Sequence, residues 1–442
     1  MLLSKVPTYY KTRRETLIKN HPGSAFLLPG FPEIIRNHDV HYPYRQESHF
    51  YYLTGFEEPG SFLVVLPETS SPGSCRSILF VMPKDPEKEM WEGERYGLEG
   101  ALRVFGVDEA YPIDELEQRL PGLLRGVDHI YYRLGHQEGM DRKILEVLEG
   151  HKKSQGRSGR GLLPIEDPTG PLGEMRLFKS QEELVLLREA CRISALAHRT
   201  AMQETRPGMN EREVEALVDY IFRKEGCQRV GYGSIVAGGK NAACLHYRSN
   251  NEALKDGELL LIDAGGEYGY YTADITRTFP VGNHFKPAQR RVYELVLRIQ
   301  KEAISMTRPG VTIPEIHRFI CTGLIDGLLS LGLLKGDAKE LFKSGAYRRF
   351  YPHSTSHWLG MDVHDVGLYL KDGEPRPLKE GMVFTIEPGF YVQPSDREIP
   401  QEYHHIGIRI EDDILVTARG HENLTYGAPK EIEEIESLKS KE

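Results

Sequence analysis

The sequence predicts an α/β (α+β) protein of two domains, the second of which is built from two related halves. Near the N-terminus, strand-like runs such as SFLVVL and SILFVM alternate with a charged helical stretch at 87–105. The segment 151–174 is rich in Gly, Pro, Ser and basic residues, which indicates a linker or a long exposed connection. Beyond it, two amphipathic helices end at the same tetrapeptide. We therefore expect an N-terminal mixed α/β domain over residues 1–172 and a C-terminal domain over 173–442.

The repeated tetrapeptide is Thr-Arg-Pro-Gly, which occurs at 205–208 and again at 307–310. The first helix opens at Ser180 with a capping-box spacing to Glu183, and the second has an apolar stripe that ends at Met306. Another amphipathic helix follows each copy. An offset of 102 residues is too long for a solenoid repeat and favours two halves packed about a pseudo-twofold axis. The alternative is chance recurrence of a helix stop.

The overall composition excludes several classes of protein. A net charge of −9 and an isoelectric point near 6.1 argue against a nucleic-acid partner, which would need a basic surface. No apolar run reaches the ~18 residues of a membrane span, and the N-terminal segment lacks the apolar core of a secretory signal. Five scattered cysteines without a Cys-x-x-Cys pair predict reduced thiols in a cytoplasmic protein.

Two aspartates flank a predicted hairpin in the first half. In LLLIDAGGEYGYYTADITRTFP, residues 259–280, Asp263 ends an apolar run and Asp274 lies inside the next strand-like run. A turn at Gly265-Gly266 would join the two runs and bring the acids within reach of each other. Alternatively, each is a solvated acid of an exposed hairpin.

Two glutamates occupy comparable positions in the second half. Glu387 ends a strand-like run and precedes a proline, which stops strand pairing. In HIGIRIEDDILVT, Ile408 and Ile410 share one face of a strand, while Arg409 and Glu411 share the other. Charged side chains on such a strand need partners, and these two could pair with each other.

Histidines complete a candidate metal site. His353, His357 and His364 lie within PHSTSHWLGMDVHDVG, whose composition disfavours a helix, and His246 lies in the first half. A lone histidine would usually pack in the core, whereas this cluster favours a functional site. Four carboxylates with an imidazole suit a pair of divalent ions, Mn²⁺ foremost and Co²⁺ or Zn²⁺ as substitutes. Two such ions would share a water, lower its pKa and stabilise a displacement.

These motifs resemble the pita-bread metallopeptidases, and among them the aminopeptidase P (Xaa-Pro aminopeptidase) family. The resemblance rests on DAGGEYGYYTADITRTFPV, HSTSHWLGMDVHDVG, TIEPGFY and GIRIEDD in the C-terminal domain. HYPYRQESHFYYLTGFEEPGSFLVVL and MWEGERYG look like the family's N-terminal creatinase-like domain, and EMRLFKSQEEL looks like the entry to its catalytic domain. The likeness covers nearly the whole chain, and it implies a pita-bread fold with pseudo-twofold halves.

The resemblance also implies a role for each candidate residue. Asp263 would be terminal on one metal, Asp274 and Glu411 would bridge two metals, and His357 and Glu387 would complete the other shell. Glu387 would also shuttle a proton, and His364 would steady the scissile carbonyl. His246 and His353 would shape the pocket for proline within the catalytic site. Tyr391 and Arg409 would support the metal site, and Trp91 would close the active site of a neighbouring subunit. For Trp91, an ordinary packed indole is the alternative.

The implied activity is release of the N-terminal residue from peptides with proline in second position, by attack of a metal-bridging hydroxide. The resemblance suggests a homodimer or homotetramer, in which the N-terminal domain serves oligomerisation and access to the active site. A prolidase would share all five ligands, but it would close the site around a dipeptide's carboxylate with a cationic group. Non-metal enzymes and non-catalytic binding proteins of the same fold have typically lost ligands, whereas all five are present here.

Overall fold

The computed structural model describes residues 8–68, 74–154, 156 and 161–440. Within it the chain forms two compact units, and the boundary between them falls between Leu172 and Gly173. Across the described residues, no helix combines the length and the apolar character that spanning a bilayer requires. The five cysteines, all of them in the described ranges, are free thiols, and Cys191, Cys227 and Cys321 are buried.

The N-terminal unit is built on one mixed six-stranded sheet in the order β6-β5-β4-β1-β7-β8. The two strand-like apolar runs form its antiparallel centre, where most side chains of β4 and β5 are buried. The charged stretch at 87–105 forms two short helices, because the chain leaves the helix at Gly93, whose φ is +97°. The elements of this unit are α1 (Tyr9–Asn20), β1 (Ser24–Pro29), β2 (Ile35–Asn37), β3 (Val40–His41), α2 (Ser48–Thr54), β4 (Phe62–Pro67), β5 (Cys75–Val81), α3 (Pro86–Glu92), α4 (Gly97–Arg103), β6 (Glu109–Pro112), α5 (Leu116–Leu123), β7 (His129–Tyr131), α6 (Glu138–Ser154) and β8 (Ile165–Glu166).

The predicted linker at 151–174 was too long. Helix α6 continues to Ser154, β8 occupies Ile165–Glu166, and α7 (Thr169–Leu177) begins before the boundary between the units. Three basic residues of this segment, His151, Lys152 and Lys153, occupy the last turn of α6, where positive charge stabilises the exposed carbonyl end of a helix. Residues 155 and 157–160 of the predicted linker lie outside the described part of the chain.

The C-terminal unit repeats one order of elements twice, which confirms the two related halves. In both halves two helices precede a strand, a short antiparallel pair and a returning strand, with additional elements between the helices and that strand. The first half contains α8 (Gln181–Glu204), α9 (Glu211–Lys224), β9 (Arg229–Val230), β10 (Ile235–Gly238), β11 (Leu259–Asp263), β12 (Gly266–Tyr268), β13 (Tyr271–Thr272) and β14 (Thr276–Pro280). The second contains α10 (Pro287–Met306), α11 (Ile313–Ser330), α12 (Ala338–Ser344), β15 (Leu370–Lys371), β16 (Glu374–Pro375), β17 (Val383–Ile386), β18 (Gly389–Tyr391), β19 (Gly407–Arg409), β20 (Asp412–Val416), β21 (His421–Asn423) and α13 (Ile432–Lys439).

Helix boundaries in this unit follow the sequence signals. Ser180 and Glu183 form the expected capping box of α8, and both long helices end immediately before the Thr-Arg-Pro-Gly turns. In the sheets, β11 pairs with β14 and β17 pairs with β20, both antiparallel. Residues of α8, α9, α10 and the strands together form the buried apolar core.

The hairpin of the first half turns at a different place from the predicted one. Its tip is Gly269-Tyr270, where both residues have positive φ, as a tight two-residue hairpin turn requires. Gly265 and Gly266 lie in the rising arm, where the chain passes from one sheet to another. At Gly265 a Cβ atom would stand 1.8 Å from the carbonyl oxygen of Ala273, so the two arms approach this closely only because glycine is there.

Candidate metal centre

A cavity of about 1060 Å³ opens in the C-terminal unit. The structure brings nearly all the predicted site residues of this unit together on its wall, namely His246, Asp263, Asp274, His353, His357, His364, Glu387, Arg409 and Glu411. Tyr391 is buried behind that wall and contacts His353. Trp91 belongs to the N-terminal unit, where it lies on α3 with its side chain almost fully exposed.

The four carboxylates stand at equivalent points of the two halves. Asp263 is the last residue of β11, and Glu387 directly follows β17. Asp274 precedes β14, and Glu411 precedes β20. An isolated bridge between Thr276 and Glu411 joins the halves at this level. The repeat of elements therefore delivers two acids from each half to one place.

Asp274, His357 and Glu411 form the tightest potential ligand group. Each offers one ligand atom, and the three atoms all lie within 4.8 Å of one another. His357 Nδ1 lies 3.1 Å from the carbonyl oxygen of Trp358, so Nδ1 carries a proton whether the ring is charged or neutral. Its Nε2 therefore faces the acids, 3.3 Å from Asp274 Oδ2 and 3.8 Å from Glu387 Oε1.

Asp263 is held by two donors that sequence reasoning did not connect with it. Arg409 Nη2 donates to Oδ2 at 2.6 Å. The hydroxyl of Tyr232 lies between two acids, 2.6 Å from Asp263 Oδ1 and 2.5 Å from Asp274 Oδ1. Tyr232 is a site residue that the sequence analysis missed, since a tyrosine in a glycine-rich loop has no distinguishing pattern.

Arg409 organises a buried hydrogen-bond network around the acids. Its Nη1 donates to the hydroxyl of Tyr391 at 2.9 Å, and that hydroxyl lies 2.9 Å from His353 Nε2. Its Nε donates to Thr276 Oγ1, which in turn donates to Glu411 Oε2 at 2.6 Å. The expected pairing of Arg409 with Glu411 is weaker than this, because the two charged groups are 4.0 Å apart. The main ionic partner of Arg409 is Asp263.

The acids carry more negative charge than the surrounding residues neutralise. Burial, reinforced by the neighbouring carboxylates, raises the pKa of Glu411 well above its usual range and raises the pKa of Asp274 as well. Burial also raises the pKa of Glu387 to about 7, although His357 and Arg409 oppose the shift. Burial lowers the pKa of His357, but Asp274 outweighs it and the pKa rises to about 9.

This donor set fits divalent cations. Carboxylate oxygens with one imidazole are ligands of hard or borderline ions, and a bound cation would supply the positive charge that the buried acids lack. Two further histidines remain neutral: burial lowers the pKa of His353 to about 3, and burial also lowers the pKa of His364. The His364 ring packs edge-on against the His357 ring with centroids 4.5 Å apart, so it borders the ligand group without belonging to it.

Comparison with known proteins agrees with this geometry. Residues 185–418 match metallopeptidase family M24, and residues 10–131 match the aminopeptidase P N-terminal domain. The chain is 43% identical over 430 residues to the Xaa-Pro aminopeptidase of Escherichia coli strain K12, with 97% of each sequence covered. The chain belongs to metallopeptidase family M24. It is therefore a hydrolase, and the family resemblance drawn from its motifs is confirmed.

Solved structures of M24 proteins extend the match to three dimensions. The chain is similar to the aminopeptidase PepP of Pseudomonas aeruginosa, with a TM-score of 0.94, 43% identity and coverage of 99% of this chain and 98% of that one. It is also similar to Zn-substituted Escherichia coli aminopeptidase P in complex with product, with a TM-score of 0.93, 42% identity and 99% of both chains covered. The predicted fold class is thereby confirmed.

Proposed function

We propose that the protein is an Xaa-Pro aminopeptidase that releases the N-terminal residue from peptides with proline in second position. The observation that carries this proposal is the cavity in which four carboxylates and His357 converge, in a chain with full-length similarity to a protein named for that activity. Two divalent ions are the proposed cofactors, Mn²⁺ foremost. Zn²⁺ and Co²⁺ are alternatives, and the Zn-substituted relative supports exchange among metals.

The proposed ligands are the five residues predicted from the sequence. Asp274 and Glu411 would bridge the two ions, Asp263 would bind one of them, and His357 with Glu387 would bind the other. Bound divalent ions would polarise a carbonyl oxygen and lower the pKa of water. The close approach of the ligand atoms of Asp274, His357 and Glu411 supports the proposal that the two acids bind both ions. Asp263 can bind a metal while it keeps its contacts with Arg409 and Tyr232, because these contacts leave each carboxylate oxygen one further lone pair.

The chain's own residues would position the peptide and move protons. Neutral His364 lies beside the ligand group and can donate a hydrogen bond to the scissile carbonyl oxygen. Glu387 Oε2 lies 3.4 Å from His353 Nδ1, and its proposed role is to pass a proton to the leaving nitrogen. That nitrogen has no N–H of its own when proline follows, so selectivity would depend on a pocket for the ring. His246 and His353 on the cavity wall are the proposed walls of that pocket.

Substrates, location and oligomeric state complete the proposal. Peptides are the expected substrates, with no nucleic-acid or membrane partner. A cytoplasmic location is supported by the five free thiols. We propose a homodimer or homotetramer in which the exposed Trp91 closes the active site of a neighbouring subunit.

Hydrolysis of Arg-Pro-Pro beside the dipeptide Ala-Pro tests the proposed activity. We expect a chelator to abolish release of arginine and added Mn²⁺ to restore it, with weaker cleavage of Ala-Pro. Cleavage of Ala-Pro alone would instead make the protein a prolidase. If neither peptide is cleaved with metal bound, the proposed activity is wrong and a binding role takes its place.

Substitution of a proposed bridging ligand tests the site itself. We expect Asp274→Asn to lower kcat/KM on Arg-Pro-Pro by more than about 100-fold, since the amide cannot bridge two cations. The matched control is Asp326→Asn, which changes an exposed aspartate on α11 and should leave the rate unchanged. Parent-like activity of Asp274→Asn would refute the metal mechanism.

A further inference from the structure

Arg248 lies on the wall of the cavity and has no partner in the described part of the chain. Its side chain is exposed, and it forms no hydrogen bond or ion pair with a described residue. Among the described residues that line the cavity, the other guanidinium is that of Arg409, which is fully engaged by Asp263, Tyr391 and Thr276. Arg248 is therefore the guanidinium of this cavity that is available to a ligand.

The loop that bears Arg248 is fixed on both sides. The hydroxyl of Tyr247 donates to the buried carboxylate of Glu211 at 2.9 Å. On the other side, the buried side chain of Asn250 accepts from the backbone of Val236 at 3.0 Å and donates to the backbone of Ser234 at 2.8 Å. The backbone at Arg248 is thus held at a fixed point of the cavity wall, while its side chain has no partner among the described residues.

The charges of the cavity are divided in a way that suits a short peptide. The acids and their proposed ions lie together at the centre described above, where the peptide's N-terminal end would bind. Arg248 forms no ion pair with those acids, and it shares the wall with the apolar side chains of Leu245, Ile313 and Pro314. A guanidinium binds a carboxylate with two parallel hydrogen bonds. A carboxylate beyond the proline is therefore the complementary group.

We propose that Arg248 binds the C-terminal carboxylate of tripeptide substrates and so favours short peptides over longer or amidated ones. The inference rests on the proposed aminopeptidase activity and specifies its substrate class. An acidic side chain on the third residue would present the same chemistry, so the two sources must be separated by experiment.

The test compares kcat/KM of the metal-loaded, full-length protein on Ala-Pro-Ala, its C-terminal amide and Ala-Pro-Asp amide. We expect the parent to prefer the free acid over the amide by about tenfold, the scale of one charge-assisted contact. Arg248→Gln should lose that preference through a higher KM, and Arg248→Lys should keep part of it. The matched control is Arg308→Gln, which removes an exposed arginine outside the cavity and should change nothing.

The outcomes separate this inference from the activity on which it rests. Equal cleavage of acid and amide by the parent, or a preference that survives in Arg248→Gln, would overturn the role of Arg248. Rescue by the aspartyl amide alone would also overturn it, because the bound carboxylate would then be a side chain. An effect of Arg248→Gln on Ala-Pro but not on Ala-Pro-Ala would exclude a tripeptide site. If the parent cleaves none of these peptides, the proposed function fails.

Discussion

At the scale of single residues, His198 connects helix α8 to the strand that carries the first acid. It is fully buried, and its Nε2 lies 3.0 Å from the carbonyl oxygen of Ala264, next to Asp263. Its Nδ1 is buried with no hydrogen-bond partner among the described residues. Burial lowers the pKa of His198 to about 4. The buried imidazole is therefore uncharged at neutral pH.

This pKa predicts how stability depends on pH. The unfolded chain takes up the proton near pH ~6.5, whereas the folded chain takes it up only near pH 4, so the unfolded state binds more protons between these values. Stability is complete above that window and falls as the pH drops through it, by up to about 3 kcal/mol. We expect His198→Gln to flatten the decline. Urea unfolding of the chelator-treated protein, monitored through the fluorescence of buried Trp358, measures the free energy of unfolding at each pH.

The control for this prediction is His284→Gln, which changes an exposed histidine of the same unit. It should lose stability between pH 7 and pH 4.5 as steeply as the parent does. A parent-like slope in His198→Gln as well would mean that other groups dominate the acid transition.

At the scale of elements, an ion cluster anchors the loop that presents the three clustered histidines. Asp365 is fully buried and accepts from Arg176 Nη2 at 2.5 Å and from Lys179 Nζ at 3.1 Å. Its backbone N–H donates to the carbonyl oxygen of Trp358, the same oxygen that faces His357 Nδ1. Gly360 permits this approach, because a Cβ there would stand 2.1 Å from Asp365 Oδ2. A loop without regular structure thus gains a fixed geometry.

We expect Asp365→Asn to lower the free energy of unfolding by about 3–5 kcal/mol, because two buried cations lose their countercharge. Asp362→Asn is the matched control: Asp362 also binds Arg176, but its side chain is 37% exposed, against 0% for Asp365. Asp362→Asn should lower the free energy of unfolding by less than about 1 kcal/mol. Equal losses in urea unfolding for the two variants would contradict the role assigned to burial.

The elements also show what the sequence could predict. Strand ends and helix caps depend on neighbouring residues, so the positions of Asp263 and Glu387 at strand ends and the boundaries of α8 were predicted correctly. The anchor of the histidine loop was not predicted, because Arg176 and Asp365 are separated by 189 residues and their pairing has no local signal. The hairpin tip at Gly269-Tyr270 was missed because a Gly-Gly pair is also a turn signal.

At the scale of the whole molecule, the proposed assembly can be tested through Trp91. An indole packed in the core is excluded for the single chain, since Trp91 is 84% exposed on α3. A large exposed aromatic side chain gains most when another surface covers it. We therefore expect Trp91→Ala to lower kcat/KM on Arg-Pro-Pro by about tenfold while the thermal midpoint stays unchanged. The parent should lose activity on dilution in parallel with its dissociation, as measured by sedimentation velocity.

Met90→Ala is the matched control, since Met90 is 75% exposed on the same helix. If Trp91→Ala retains parent-like activity at every protein concentration, the proposed role of Trp91 is wrong.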